Sequence, residues 1–184
     1  VPWAGPEPGV PATVRALLPG GDALYIAGSF ASVDGVPGTA NIAVWRDGAY
    51  QALAGGLPRT AHCLLWHEGR LLVGTAGRLN TPSSTTLWAW DGHGWSGEAT
   101  YADLAAVQAL VVHDGQLLAG GLDLAARQSP IKRRTPGGAW EPATPWQGAF
   151  AQVLELATYR DDLVSCGLWA PARGMPANNV GRWD

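Results

Sequence analysis

The sequence predicts an all-β fold written as one unit repeated four times, and three observations predict it. Glycine recurs at Gly28, Gly74, Gly120 and Gly167, at intervals of 46, 46 and 47 residues, each after a short apolar run such as Leu24-Tyr25-Ile26-Ala27 or Leu71-Leu72-Val73. A second apolar run precedes each glycine by a near-constant distance, beginning at Val14, Ala61, Val107 and Val153. Gly 25 and Pro 14 in 184 residues break the chain into segments too short for helices but suited to strands joined by tight turns. Four units of 46 fill the chain, and short-strand repeats of that period point to a propeller whose blades are four-stranded antiparallel sheets.

The first repeat justifies each element in turn. Val14 to Leu18 alternates as a strand, Pro19-Gly20-Gly21-Asp22 turns, and Ala23 to Phe30 is a second strand rich in β formers. A loop holding Gly35, Pro37 and Gly38 leads to a third strand, Asn41-Ile42-Ala43-Val44-Trp45. Asp47-Gly48 is a two-residue hairpin signal, Ala49 to Leu53 is a fourth strand, and Ala54-Gly55-Gly56 ends the repeat. Repeat two turns at Glu68-Gly69, carries its third strand at Leu87 to Trp90, and turns again at Asp91-Gly92. Repeat three turns at Asp114-Gly115 and at Pro136-Gly137-Gly138, before Trp140. Repeat four turns at Asp161-Asp162 and stops at Val180-Gly181-Arg182-Trp183-Asp184, one strand short.

The missing strand is expected at the other end of the chain. Val1-Pro2-Trp3 places an aromatic where Tyr50, Trp95 and Trp140 close the other repeats. The expectation is a four-bladed β-propeller in one domain, residues 1–184, with blades at 14–60, 61–106, 107–152 and 153–184 plus 1–13. Pairing first and last strands in one sheet removes two exposed edges. A piece of a larger propeller, or two chains forming one ring of eight, are the rival arrangements.

The run Leu24-Tyr25-Ile26-Ala27-Gly28-Ser29-Phe30, then Asn41-Ile42-Ala43-Val44-Trp45, then Leu53-Ala54-Gly55-Gly56, resembles the repeats of kelch-like (Rax2-like) surface β-propellers of bacteria and fungi. The likeness is good in repeat one, partial in repeat two (Gly74, Trp90) and repeat four (Gly167, Asn179, Trp183), and confined to the first two strands of repeat three. Its motifs are structural. The resemblance implies a secreted or surface-exposed interaction module without a reaction.

Composition narrows the function classes. A net charge of −3 argues neither for nucleic acid nor for an acidic membrane surface, and no apolar run is long enough for a membrane helix. Without an initiator methionine or a leader pattern, the chain reads as processed, trimmed or engineered. Cys63 and Cys166 fall in repeats expected to lie opposite each other, so two buried free thiols are expected rather than a disulfide. No cofactor is expected. The serines lack a Gly-x-Ser-x-Gly context, neither cysteine has a catalytic signature, and most aspartates sit beside glycine or in turns. A propeller carbohydrate-active enzyme with paired carboxylates is the alternative, because such pairs meet only in space.

Residues that break the repeat are the candidate binding set. Trp45, Trp90 and Trp183 share one repeat position, and Trp3, Tyr50, Trp95 and Trp140 another, which reads as packing between blades. Trp66, Trp146 and Trp169 depart from the pattern and suit stacking on a sugar or an apolar partner, unless each packs under its own loop. Trp88 aligns with Ala43. Arg127, Lys132, Arg133 and Arg134 interrupt the third strand of repeat three, with Arg133 aligned to Trp88 and Arg134 to Ala89. They read either as an anion site, with Arg127, Arg133 and Arg173 as binding residues, or as charges guarding a strand edge. His67 and His113 align with Tyr159 beside acidic turn residues, a weak metal arrangement against the plainer reading of solvated turns, and no zinc spacing supports it. The expected function is a non-catalytic, lectin-like binding or structural module. Its partner is a glycan or a protein surface, and an oligomer is compatible with it.

Overall fold

The computed structural model describes residues 13–123, 130–143, 151–169 and 179–183. Among these residues every regular element is a strand. Repeat one holds β1 (Thr13–Gly20), β2 (Ala23–Ser29), β3 (Ile42–Arg46) and β4 (Ala49–Gln51), and repeat two holds β5 (Ala61–His67), β6 (Arg70–Thr75), β7 (Thr85–Trp90) and β8 (Trp95–Thr100). Repeat three holds β9 (Ala106–His113), β10 (Gln116–Leu122), β11 (Ile131–Arg134) and β12 (Trp140–Pro142). Repeat four holds β13 (Ala151–Tyr159), β14 (Asp162–Trp169) and β15 (Val180–Trp183). The fourth strand expected for it from residues 1–13 falls outside the described residues, apart from Thr13, which opens β1.

The chain divides into two compact bodies, Val1–Ala61 and His62–Asp184. The first carries the sheet β1-β2-β3-β4. The second carries β5-β6-β7-β8 and a seven-stranded sheet of β9 to β15, so the described strands form three sheets where four blades were expected. The difference is a single residue pair. Within the larger sheet β9-β10-β11-β12 and β13-β14-β15 are each meanders, joined only where Leu122 of β10 pairs with Gln152 of β13. One repeat earlier the isolated bridge Ala76↔Ala106 makes the same connection, 46 residues away in both partners.

Hairpin chemistry places the strands. Asp47 and Gly48 both take positive φ (53° and 77°), the backbone whose twist matches the flanking strands. Glu68-Gly69 and Asp114-Gly115 repeat this arrangement. In repeat four the turn lies one residue earlier than expected: Arg160 takes φ 57° and Asp162 already pairs with Tyr159 in the ladder.

Register corrects the glycine ladder. Ala27, Gly74, Gly120 and Cys166 are equivalent, because they stand opposite Ile42, Leu87, Ile131 and Val180 on the third strands. Gly28, Gly121 and Gly167 lie one position later, opposite Val14, Val107 and Val153 beside a β-bulge. Their amides donate to the carbonyls of Asn41, Pro130 and Asn179 at 3.1, 3.0 and 3.0 Å. A Cβ at any of these three would stand on the facing carbonyl of Thr13, Ala106 or Gln152. The bulge presses the two backbones together, which is why the sequence keeps glycine there. Thr75 takes this place in repeat two and donates its hydroxyl to the Thr86 carbonyl at 3.3 Å.

The larger body's core lies between consecutive repeats. Leu72 and Leu87, with Cys63, pack against Val107, Leu110 and Leu117. Ala109, Leu118 and Ile131, the same positions one repeat on, pack against Val153, Leu156 and Leu163. Each fully buried leucine or isoleucine contributes about 1.5–3 kcal/mol relative to exposure.

Candidate functional site

The charged third strand of repeat three is mostly an internal network. β10–β11 pairing sets Leu118 opposite Arg133 and Ala119 opposite Lys132. Arg133 therefore matches Ala89, which stands opposite Leu72, and Arg134 takes the tryptophan position of Trp90; the expected alignment was one residue out. Strand alternation then sends Lys132 and Arg134 to the side of Ala119, whose neighbours are the side chains of repeat two. There Arg134 pairs with the Glu98 carboxylate, whose other oxygen takes Arg70 at 2.6 Å. Trp140 donates its indole N–H to the Glu98 backbone carbonyl at 2.9 Å. Lys132 is buried and reaches Asp123, also buried, at 3.3 Å. Arg133 faces the opposite way and holds Glu141 at 2.7 Å on the surface. All the described cations of this cluster thus face carboxylates, which is the geometry of a strand interface more than of an open anion site.

The sequence singled out the arginines but not Glu98, Asp123 or Glu141. The available signal was a carboxylate inside a strand, Glu98 in Trp-Ser-Gly-Glu-Ala-Thr, with no turn to account for it.

Trp66 lies exposed near the end of β5. Trp169 closes β14 opposite Ala151 in the backbone register. Trp146, Arg127 and Arg173 lie outside the described residues. Two pairs of the repeated aromatics meet within a sheet, Trp45 with Tyr50 edge-on at 4.7 Å and Trp90 with Trp95 at 5.3 Å, each pair directly opposite across a hairpin, while Trp140 packs against the repeat-two core. Such pairs contribute about 0.5–1.5 kcal/mol beyond burial.

The turn histidines serve local contacts. His113 Nδ1 lies 3.3 Å from the Thr158 hydroxyl, joining the ends of β9 and β13, and its Nε2 is 3.7 Å from Asp114. His67 Nε2 is 3.9 Å from Glu68. Among the described residues no three metal-ligating side chains converge.

Both cysteines are free, but only one is enclosed. Burial pushes the Cys63 thiol up to about 12, with a smaller upward contribution from the Glu155 carboxylate and a downward one from the Gly74 backbone. Its sulfur lies 3.9 Å from the Val107 carbonyl. Cys166 is exposed, contrary to expectation, because it stands on the outer face of β14, away from the Leu163 side that packs on repeat three. Asp91 accepts backbone N–H bonds from His93 and Gly94, both at 2.8 Å, and these hold its carboxyl below the usual range.

The chain matches no protein-family profile and no curated protein. Solved structures share its fold. The computationally designed Ika4 protein matches with TM-score 0.55 and 16% identity, over 96% of this chain and 93% of that one. The designed Ika8 protein matches with TM-score 0.52 and 17% identity, over 84% of this chain but 42% of that one. A Bacteroides ovatus protein, xyloglucan PUL GH43B, overlaps at TM-score 0.47 and 13% identity, over 39% of its own length, too weakly to carry an argument.

Proposed function

We propose that the four repeats are blades of a β-propeller and that the chain is a non-catalytic binding or structural module. One observation carries this reading: the unusual charges of repeat three are spent on internal pairs, Arg134 on Glu98, Lys132 on Asp123, Arg133 on Glu141. The groups best suited to chemistry thereby serve architecture. The kelch-like resemblance supports the same class and an extracellular or cell-surface setting. Recognition falls to aromatic surface, with exposed Trp66 as the described member of the set that includes Trp146 and Trp169. A flat ring offers a sugar or an apolar side chain much area at little entropic cost.

A glycan array with the chain as analyte tests the reading, followed by Trp66→Ala and Trp169→Ala. Binding lost in the variants at unchanged melting temperature supports recognition by these rings. Lower melting temperature without any glycan bound makes the rings structural and leaves a protein partner. Turnover of a glycoside, abolished by one aspartate substitution, would replace the module with an enzyme.

A further inference from the structure

Four aspartates of this chain precede a glycine: Asp34-Gly35, Asp47-Gly48, Asp91-Gly92 and Asp114-Gly115. The structure sorts them into two kinds. At Asp34, Asp47 and Asp114 both residues of the pair take positive φ, 50° and 68°, 53° and 77°, and 48° and 71°. Each pair is the centre of a two-residue turn, closed by the backbone partners Val33↔Val36, Arg46↔Ala49 and His113↔Gln116. In such a turn the N–H of the second central residue, here the glycine, stays outside the ladder. The three aspartates are exposed, Asp114 with 80% of its side chain open and 3.7 Å from the His113 imidazole. Asp91 differs in its carboxylate. Its Oδ1 accepts the amides of His93 and Gly94 at 2.8 Å each, and these bonds favour the charged form. A Cβ on Gly92 would meet nothing, as at Gly35, Gly48 and Gly115, so access to the glycine does not separate the two kinds.

We propose that Asp34, Asp47 and Asp114 are sites of spontaneous isomerisation to isoaspartate, and that the amides of His93 and Gly94 protect Asp91 from it. The step needs no reactant but water. The glycine nitrogen attacks Cγ of the protonated carboxyl and a C–N bond forms. The nitrogen's proton and the carboxyl's hydroxyl leave as water. The five-membered imide then takes water back. Opening at the side-chain carbonyl restores aspartate, whereas opening at the main-chain carbonyl breaks the original peptide bond and leaves the chain running through Cβ. A carboxylate is a poor electrophile, so the two amides that keep Asp91 charged also keep it inert. The chain holds its own control. Glu68-Gly69 makes the same turn, with φ 48° and 73°, but its extra methylene would require a six-membered ring, which closes far more slowly. An isoaspartate adds one carbon to the main chain of a turn that two residues close, and register depends on that turn. At Asp114 the disturbed pair includes His113, whose imidazole lies 3.3 Å from the Thr158 hydroxyl, so isomerisation there loosens the joint between β9 and β13. The chemistry is independent of what the module binds.

The test ages the folded chain at mildly acidic pH for several weeks and maps its peptides by chromatography with electron-transfer fragmentation, which tells the two linkages apart. Isoaspartate is expected at Asp34, Asp47 and Asp114, with none at Asp91 and no change at Glu68. A parallel sample aged in urea should show Asp91 reacting as fast as the other three, because unfolding removes its two amide bonds. Three silent sites in the folded chain overturn the proposal, whatever the urea sample shows. Asp91 keeping pace with Asp114 in the folded chain overturns the protection. Asp91 slow in both samples would place its inertness in the local sequence and overturn the role of the amides. Asp114→Glu should abolish its own product alone and slow the fall in melting temperature on ageing. An unchanged fall would mean that the joint at Thr158 does not depend on this turn.

Discussion

Trp140 and Glu98 are joined twice over: the indole N–H of Trp140 donates to the Glu98 carbonyl at 2.9 Å, and Arg134, paired with Trp140 in the β11–β12 ladder, binds the Glu98 carboxylate. One residue of β8 thereby fastens repeat three to repeat two through both its backbone and its side chain.

Removing that carboxylate leaves Arg70 and Arg134 facing each other, half-buried and unneutralised. Glu98→Leu is expected to cost about 3 kcal/mol in urea unfolding, the low end for a broken buried pair because the arginines keep some solvent. Adding Arg134→Trp, which restores the residue of the other repeats, should recover part of the loss. No recovery would mean that the ion pairs contribute little.

Thiol chemistry should separate the cysteines. A thiol reagent at pH 8 should modify Cys166 rapidly and Cys63 only after unfolding. The Cys63 thiol rises from 9.0 in the open chain to about 12 when folded, so its contribution to stability is complete below pH 9.0 and is lost as pH climbs toward 12. Cys63→Ala should flatten the alkaline decline in melting temperature.

Asp91 gives the opposite sign. Its folded carboxyl lies below the ordinary value, so its contribution is present above the unfolded pKa and fades as pH falls through the folded one. Asp91→Asn should weaken the hairpin at neutral pH and remove this acid-dependent step, read from amide shifts of His93 and Gly94.

Glycine substitutions should divide by location. Gly121→Ala forces a methyl onto the Ala106 carbonyl, with an expected cost of about 2–3 kcal/mol, whereas Gly94→Ala meets open space and should be nearly silent. Equal effects would contradict the bulge geometry.

Much of the fold was legible because turns and strands are written locally. Asp47-Gly48, Glu68-Gly69 and Asp114-Gly115 carry their backbone geometry in their own residues, and the strands expected in repeat one lie within two residues of those observed. Register was less legible. Gly120 and Gly121 are adjacent, and only the bulge opposite Val107 shows that Gly121 matches Gly28. The arginine cluster was visible as an anomaly, yet its meaning lay in Glu98 and Asp123, distant in sequence and placed by packing. Cys166 was misjudged for the same reason: a residue's face depends on the sheet beside it.

Most described strand pairings join neighbours along the chain, and the bridges Ala76↔Ala106 and Leu122↔Gln152 span only about thirty residues. All-β proteins usually fold slowly because distant segments must find one another before any contact rewards them. Here nearly every pairing partner has emerged from the ribosome within one repeat of its mate. Assembly can therefore keep pace with synthesis, and within the larger body each repeat can form on the one before it and shield that repeat's apolar face before the next appears.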